Sequence, residues 1–225
     1  MESENLFPPL FLDSNIIVGA QLSPHDRLSS PADTIFSSDN PLWWSENVKK
    51  ECYGESESSG ICGKRKYETL REFKKLRAAI ERGKLEETLN KTSRLAPLIR
   101  KLLDKTNGDT ELLRTILIQE QNHLISTYST KKRDIENRLD CHCRKEYHND
   151  IRFRIINLLR EQHIELDKDD LEIWLDVHDL CITKNISDLI FISDDWNHVI
   201  SAANIICSCT DICKIIPPKD YCTQH

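Results

Sequence analysis

Two apolar stretches in this chain run straight into carboxylates: Leu10–Leu12 into Asp13, and Leu189–Ile192, through Ser193, into Asp194 and Asp195. In an open parallel sheet, functional groups gather beyond the carboxyl ends of the strands. Carboxylates brought together there repel one another, which serves no stabilising purpose. A divalent cation removes the conflict, and Mg²⁺ or Mn²⁺ prefers hard oxygen ligands while keeping positions open for water and a phosphate oxygen. Two further segments offer acids. Glu51 lies about a turn and a half into a helix expected behind Ser45, and Glu172, Asp176 and Asp179 fall at i, i+4 and i+7 of a helix opening near Asp170 and running to about Lys184. The chemistry such a set supports is metal-assisted hydrolysis of a phosphodiester, with one or two ions.

Elements must be found that bring these acids together. Pro8 and Pro9 prevent a helix from starting before Leu10, so Leu10–Leu12 reads as a buried strand with Asp13 at its C-terminal end. The Ser-, Pro- and Asp-rich stretch 23–40 reads as loops. Ser45 is a plausible N-cap for a helix over 46–53, which Gly54 ends. Leu70, Phe73, Leu76, Ala79 and Ile80 form one apolar helical stripe; Leu95–Leu103 suggests a second helix and the stretch from Thr110 to Leu124 a third, after a turn at Asn107 and Gly108. Helices are expected again over 151–162 and 170–184, with a last strand within 211–216 stopped by Pro217 and Pro218. Strands alternating with helices predict an α/β fold: three layers, α/β/α, around a central parallel sheet, plus an inserted helical segment. The α/β domain is expected to be discontinuous, 1–55 and 150–225, with the helical insertion at 64–149.

These motifs carry a resemblance. Leu10–Asp13 followed by Ser14 and Asn15 resembles the first strand of PIN-domain nucleases, an apolar strand ending in Asp and then Ser/Thr-Asn. Ser45, Val48 and Glu51 resemble the second motif of that family. Asp176 or Asp179, followed by Phe191, Ile192, Ser193 and Asp195, resembles the third and fourth. The similarity covers about 8–55 and 165–217. It implies Asp13, Glu51, Asp176 and Asp195 as catalytic and metal-binding residues, with Asp179 the competitor of Asp176 for the third place. It further implies Ser193 and Asn15 as supporting groups, and a metal-dependent endoribonuclease acting on single-stranded RNA. Asn197 stands where some relatives carry another Asp, so it would reach an ion only through water.

The remaining composition bounds the partners. The formal charge is −6, but residues 64–105 hold fourteen Lys/Arg against six Asp/Glu. Such a stretch is usually a solvated face; here Lys64, Arg65, Lys66, Lys74 and Lys75 are also candidates to track phosphates. Nine cysteines, an odd number, read as reduced thiols. Cys141, His142, Cys143 and His148 are zinc-type ligands at irregular spacing, so packing or surface roles are favoured over structural zinc. Trp174 is expected in the core, whereas Trp43 and Trp44 could stack bases. No apolar run approaches a membrane span of about 20 residues, and the acidic start lacks a signal-peptide pattern, so a cytoplasmic protein is expected. A homodimer or protein partner stays open. The competing functions are a non-catalytic PIN-like module that binds RNA or protein, and a toxin-type ribonuclease masked by an antitoxin.

Overall fold

The computed structural model describes residues 7–55, 59–90 and 95–224. Its centre is a five-stranded, all-parallel sheet in the order β3-β2-β1-β4-β5: β1 Leu10–Leu12, β2 Leu42–Ser45, β3 Asp140–His142, β4 Ile190–Ile192 and β5 Lys214–Ile216. The strands pair in strict register, Leu12 opposite Ile192 and Ser45 opposite His142. One line of residues therefore forms the upper edge of the sheet: His142 ends β3, Ser45 ends β2, and Asp13 and Ser193 follow β1 and β4.

Helices cover both faces. α1 (Ser14–Gln21) packs on α2 (Ser29–Phe36), α3 (Glu46–Tyr53), α4 (Ile61–Glu81) and α7 (Thr110–Arg138); α5 (Leu85–Asn90) and α6 (Ala96–Lys105) lie against α4 and α7. In the second group α8 (Asn149–Glu161) packs on α9 (Lys168–Lys184) and α10 (Ala203–Cys209), while α11 (Pro218–Gln224) returns to α2. Phe11 and Phe191, fully buried in the sheet, belong to the same continuous core as Phe73, Ile99, Leu113 and Leu117. The helices of 64–149 thus share the core of the sheet. Their apolar stripes, too narrow to hide alone, are what hold them there.

Several elements differ from expectation. The stretch 23–40 contains α2: Pro31 falls in its first turn, where the missing N–H would have had no partner, and Ala32 and Ile35 are buried. β2 puts Trp44 in the core at 1% exposure, so it is no base-stacking platform; Trp43 is half-buried beneath the Lys184 ammonium. β3 lies inside the span expected to be wholly helical. Its three polar residues carry no strand pattern, and only pairing with the backbone of β2 makes it one. Asp109 caps α7, its carboxylate accepting from the N–H groups of Glu111 and Leu112. Among the described residues no helix is long and apolar enough to cross a membrane.

Candidate metal centre and nucleic-acid cleft

A parallel sheet delivers each following helix with its N-terminus at the same edge as the strand ends. Asp13 caps α1 through Ser14 N–H, Ser45 caps α3 through Val48 N–H, Asp167 caps α9 through Asp169 N–H. Asp195 caps a π-helical turn at Trp196–Ile200 through the N–H groups of Asn197 and His198. The partial positive charge of these helix ends offsets part of the repulsion among acids collected there.

At the centre, Asp13 is 4% exposed and bound on all sides. Its Oδ1 accepts from Ser14 N–H at 2.7 Å, and its Oδ2 from Asn15 Nδ2 at 2.8 Å and from the Ser193 hydroxyl at 2.5 Å. The Ser193 oxygen in turn accepts from Asp195 N–H at 3.1 Å, and Asn15 Oδ1 from Asp194 N–H at 3.1 Å. Ser193 and Asn15 therefore tie the ends of β1 and β4 together and fix the carboxyl of Asp13. Asn197 is exposed.

Asp13, Glu51, Asp170 and Asp195 line one cleft of about 290 Å³, with Asn15, Arg27 and Arg65 on its walls. Burial pushes the Asp13 carboxyl above its usual range, against the pull of its hydrogen bonds, and the charge of Asp195 adds to the rise. Glu51 keeps solvent contact but is raised to about 7, first by the protein packed around it and then by Asp13. Asp170 also reaches about 7, through burial and then the charges of Asp13, Asp167 and Asp195. Beside them, Asp167, Asp170 and His198 each bring a donor atom within 4.8 Å of the others. His198 Nδ1 is 3.2 Å from Asp195 Oδ2 and 3.7 Å from Asp170 Oδ2. A donor set of carboxylate oxygens with one imidazole fits Mn²⁺ or Mg²⁺ chemically.

A pH effect on stability follows. Carboxyls with folded values near 7 and unfolded values of about 4 bind more protons folded than unfolded across that interval. Stability without metal must then fall as pH rises from about 4 to about 7. Both groups are partly solvated, so the expected loss is roughly 1 kcal/mol after screening, or roughly 2–4 °C in Tm for a chain of this size. Scanning fluorimetry between pH 5 and 8 should show the decline and its reversal by millimolar Mn²⁺ at pH 8. An unchanged Tm in both series would contradict the electrostatic account.

The third acid in the cleft is Asp170, not Asp176 or Asp179. Asp176 lies six residues further along α9, about 9 Å down its axis and about 240° around it. It is 2% exposed, accepting from Asn47 Nδ2 at 2.9 Å, with Arg144 Nε 3.4 Å from its other oxygen. Burial raises its carboxyl against the pull of Ser45, Asn47 and Arg144. Asp179 is equally enclosed. Burial would raise it, but hydrogen bonds from His148, Lys145 N–H, His142 and Glu146 N–H prevail and hold it at about 2. His142 and His148, expected on the surface, are the partners of this carboxylate, the first buried and the second half-buried, their Nε2 atoms 2.9 Å and 2.7 Å from it. Glu172 binds Arg144 and Arg152. The signal for Asp170 was the acidic run 167–170, which reads from sequence alone as helix capping.

The basic candidates separate. Arg65 lines the acidic cleft, and Lys64 lines an adjoining cavity that shares Glu51 and Ile61 with it. Lys66 turns inward over the Tyr128 ring, 4.0 Å from its centroid. Lys74 and Lys75 are exposed about 15 Å further along α4. Comparison of the chain with protein-family models, with curated proteins and with solved structures finds no match.

Proposed function

We propose that this protein is a metal-dependent endoribonuclease of the PIN type, cutting single-stranded RNA at the cleft formed by Asp13, Glu51, Asp170 and Asp195. One observation carries the reading: four acids from four separate segments line one cleft at the carboxyl edge of a parallel sheet, at electrostatic cost. A scaffold has no use for that cost, whereas a cation site does. When bound, Mg²⁺ or Mn²⁺ supplies Lewis acidity and lowers the pKa of a coordinated water. The chain's own groups do the rest. Ser193 and Asn15 hold the Asp13 carboxyl in one orientation, while Glu51 and Asp170 bring carboxylates from α3 and α9 to the same cleft. Arg65 and Lys64 stand where they can neutralise phosphates on either side of the acids.

Asp170→Asn tests the assignment of the third acid. Cleavage of a mixed-sequence RNA in Mn²⁺ is expected to fall about a hundredfold, the loss of one charged ligand costing a few kcal/mol at 1.36 kcal/mol per decade. Mn²⁺ soaked into crystals should give anomalous density among the four carboxylates. Full cleavage by the variant, or density elsewhere, would remove Asp170 from the site.

A further inference from the structure

The acidic cleft is the first of three neighbouring cavities along the upper edge of the sheet. It shares Glu51 and Ile61 with the second, which holds Lys50 and Lys64, and the second shares Asn47 with a third. The third, about 250 Å³, lies over the ends of β2 and β3 and is lined by Asn47, His142, Arg144, Lys145, Tyr147 and Asp176, with the acids Glu46 and Glu146 also in its wall. That volume is the share of about eight waters in the liquid: room for one base with its sugar, and far too little for a duplex.

Three features decide what it takes. Asp176, 2% exposed, forms the acceptor of the cavity. Its Oδ2 is engaged by Asn47, but its Oδ1 accepts no hydrogen bond, the Arg144 guanidinium approaching to 3.4 Å without making one. A buried acceptor left without a donor costs about 1–3 kcal/mol, which a donor brought by a ligand would recover. Tyr147 is 75% exposed, a bare aromatic face at the mouth. Lys145 supplies positive charge for a phosphate, Arg144 being held by Glu172 and Asp176. Spacing completes the case. Asn47 and Glu51 are four residues apart on α3, so the cavity begins about one helical turn, roughly 6 Å, from the acids. A single strand advances a nucleotide over a comparable length.

We propose that this third cavity is a base-reading subsite: it receives a nucleobase one or two nucleotides from the scissile phosphate and selects a base bearing an exocyclic amine over uracil. The amine of cytosine or adenine donates to Asp176 Oδ1, whereas uracil presents a carbonyl oxygen there and is repelled. Tyr147 stacks on the base, a contact tolerant of base identity. The inference deepens the ribonuclease reading by naming a sequence preference for the same groove.

The test uses the full-length chain carrying Asp13→Asn, so that RNA is bound but not cut. Fluorescence anisotropy at fixed salt compares a uridine hexamer with hexamers holding one cytosine at each position in turn. Cytosine and uracil hardly differ in size but exchange donor and acceptor at ring positions 3 and 4: cytosine carries the 4-amine and a bare N3, uracil the 4-carbonyl and an N3–H. One position is expected to bind about tenfold more tightly as cytosine. Adding Asp176→Asn turns a donor toward the cavity, and the preference should vanish or reverse. Tyr147→Ala, at an exposed position that tolerates change, should weaken both hexamers about tenfold with their ratio unchanged. Equal binding at every position, a preference that survives Asp176→Asn, or a Tyr147→Ala variant that binds like its parent would each overturn the proposal. Should wild-type protein fail to cleave RNA while the cytosine preference persists, the nuclease reading falls and the subsite stands. Cleavage without any base preference keeps the nuclease and removes the subsite.

Discussion

Asp13→Asn is expected to lower metal-dependent RNA cleavage about a thousandfold while leaving the protein folded. Asp13 is the group on which the others converge: its charge raises both Glu51 and Asp170, and Asp195 acts on it in return. An amide keeps the shape and can still accept from Ser14 N–H through its oxygen, so the cap of α1 survives, while its nitrogen donates to Ser193 and gives up the bond from Asn15. What disappears is the negative charge. A loss of several kcal/mol of charge stabilisation in the transition state amounts to about three decades of rate. Removing a buried carboxylate with a raised pKa also relieves strain in the metal-free protein, so its Tm at pH 8 should hold or rise. Cleavage at more than a tenth of the wild-type rate, measured on the same RNA in saturating Mn²⁺, would exclude Asp13 from the chemistry.

Asp179→Ala should do the reverse, damaging the fold far more than the acidic cleft. Its carboxylate, 2% exposed, takes His142 Nε2 at 2.9 Å, His148 Nε2 at 2.7 Å and the N–H groups of Lys145 and Glu146 at 3.0 Å and 3.3 Å. Alanine leaves all of these donors without an acceptor in a buried place. The expected loss is roughly 3–5 kcal/mol, or roughly 10 °C in Tm. The loop from Cys143 to His148 joins β3 to α8; in the variant it keeps the Arg144 contacts to Glu172 and Asp176 but loses these bonds, so it should become the first site of proteolytic nicking. With a folded pKa depressed to about 2, the stabilisation is present above the unfolded value of about 4 and lost as pH falls toward 2. The wild type should therefore lose stability through that acid range, and the variant should lack that part of the decline. A Tm within 2–3 °C of wild type would show that the loop has other anchors.

The two variants separate what local sequence decides from what packing decides. An apolar run behind a proline pair made β1 legible, and with it the position of Asp13 at a strand end. The same logic placed Asp195 after β4, and Ser45 announced α3 through its capping hydroxyl. These are short-range facts, written within a few residues of chain. The stripe of Leu70, Phe73, Leu76 and Ile80 likewise declared α4, because a period of three and four residues is a property of the segment alone.

Tertiary structure decided the rest. Glu172, Asp176 and Asp179 share one face of α9 in sequence, with Asp176 expected as the third acid and Asp179 as its competitor, but every residue from Ile173 to Cys181 is buried, so the middle of that helix is wrapped by protein. Its first turn comes beside the ends of β1 and β4, whereas its middle turns lie against the ends of β2 and β3, and the cleft therefore receives Asp170. Asp176 and Asp179 are left to hold Arg144, His142 and His148, partners brought from β3 and the loop behind it. β3 itself has no pattern of its own: a strand of Asp140, Cys141 and His142 exists only because β2 offers an unpaired edge. Periodicity states which residues share a face; which part of that face meets the cleft depends on the neighbours that cover the remainder.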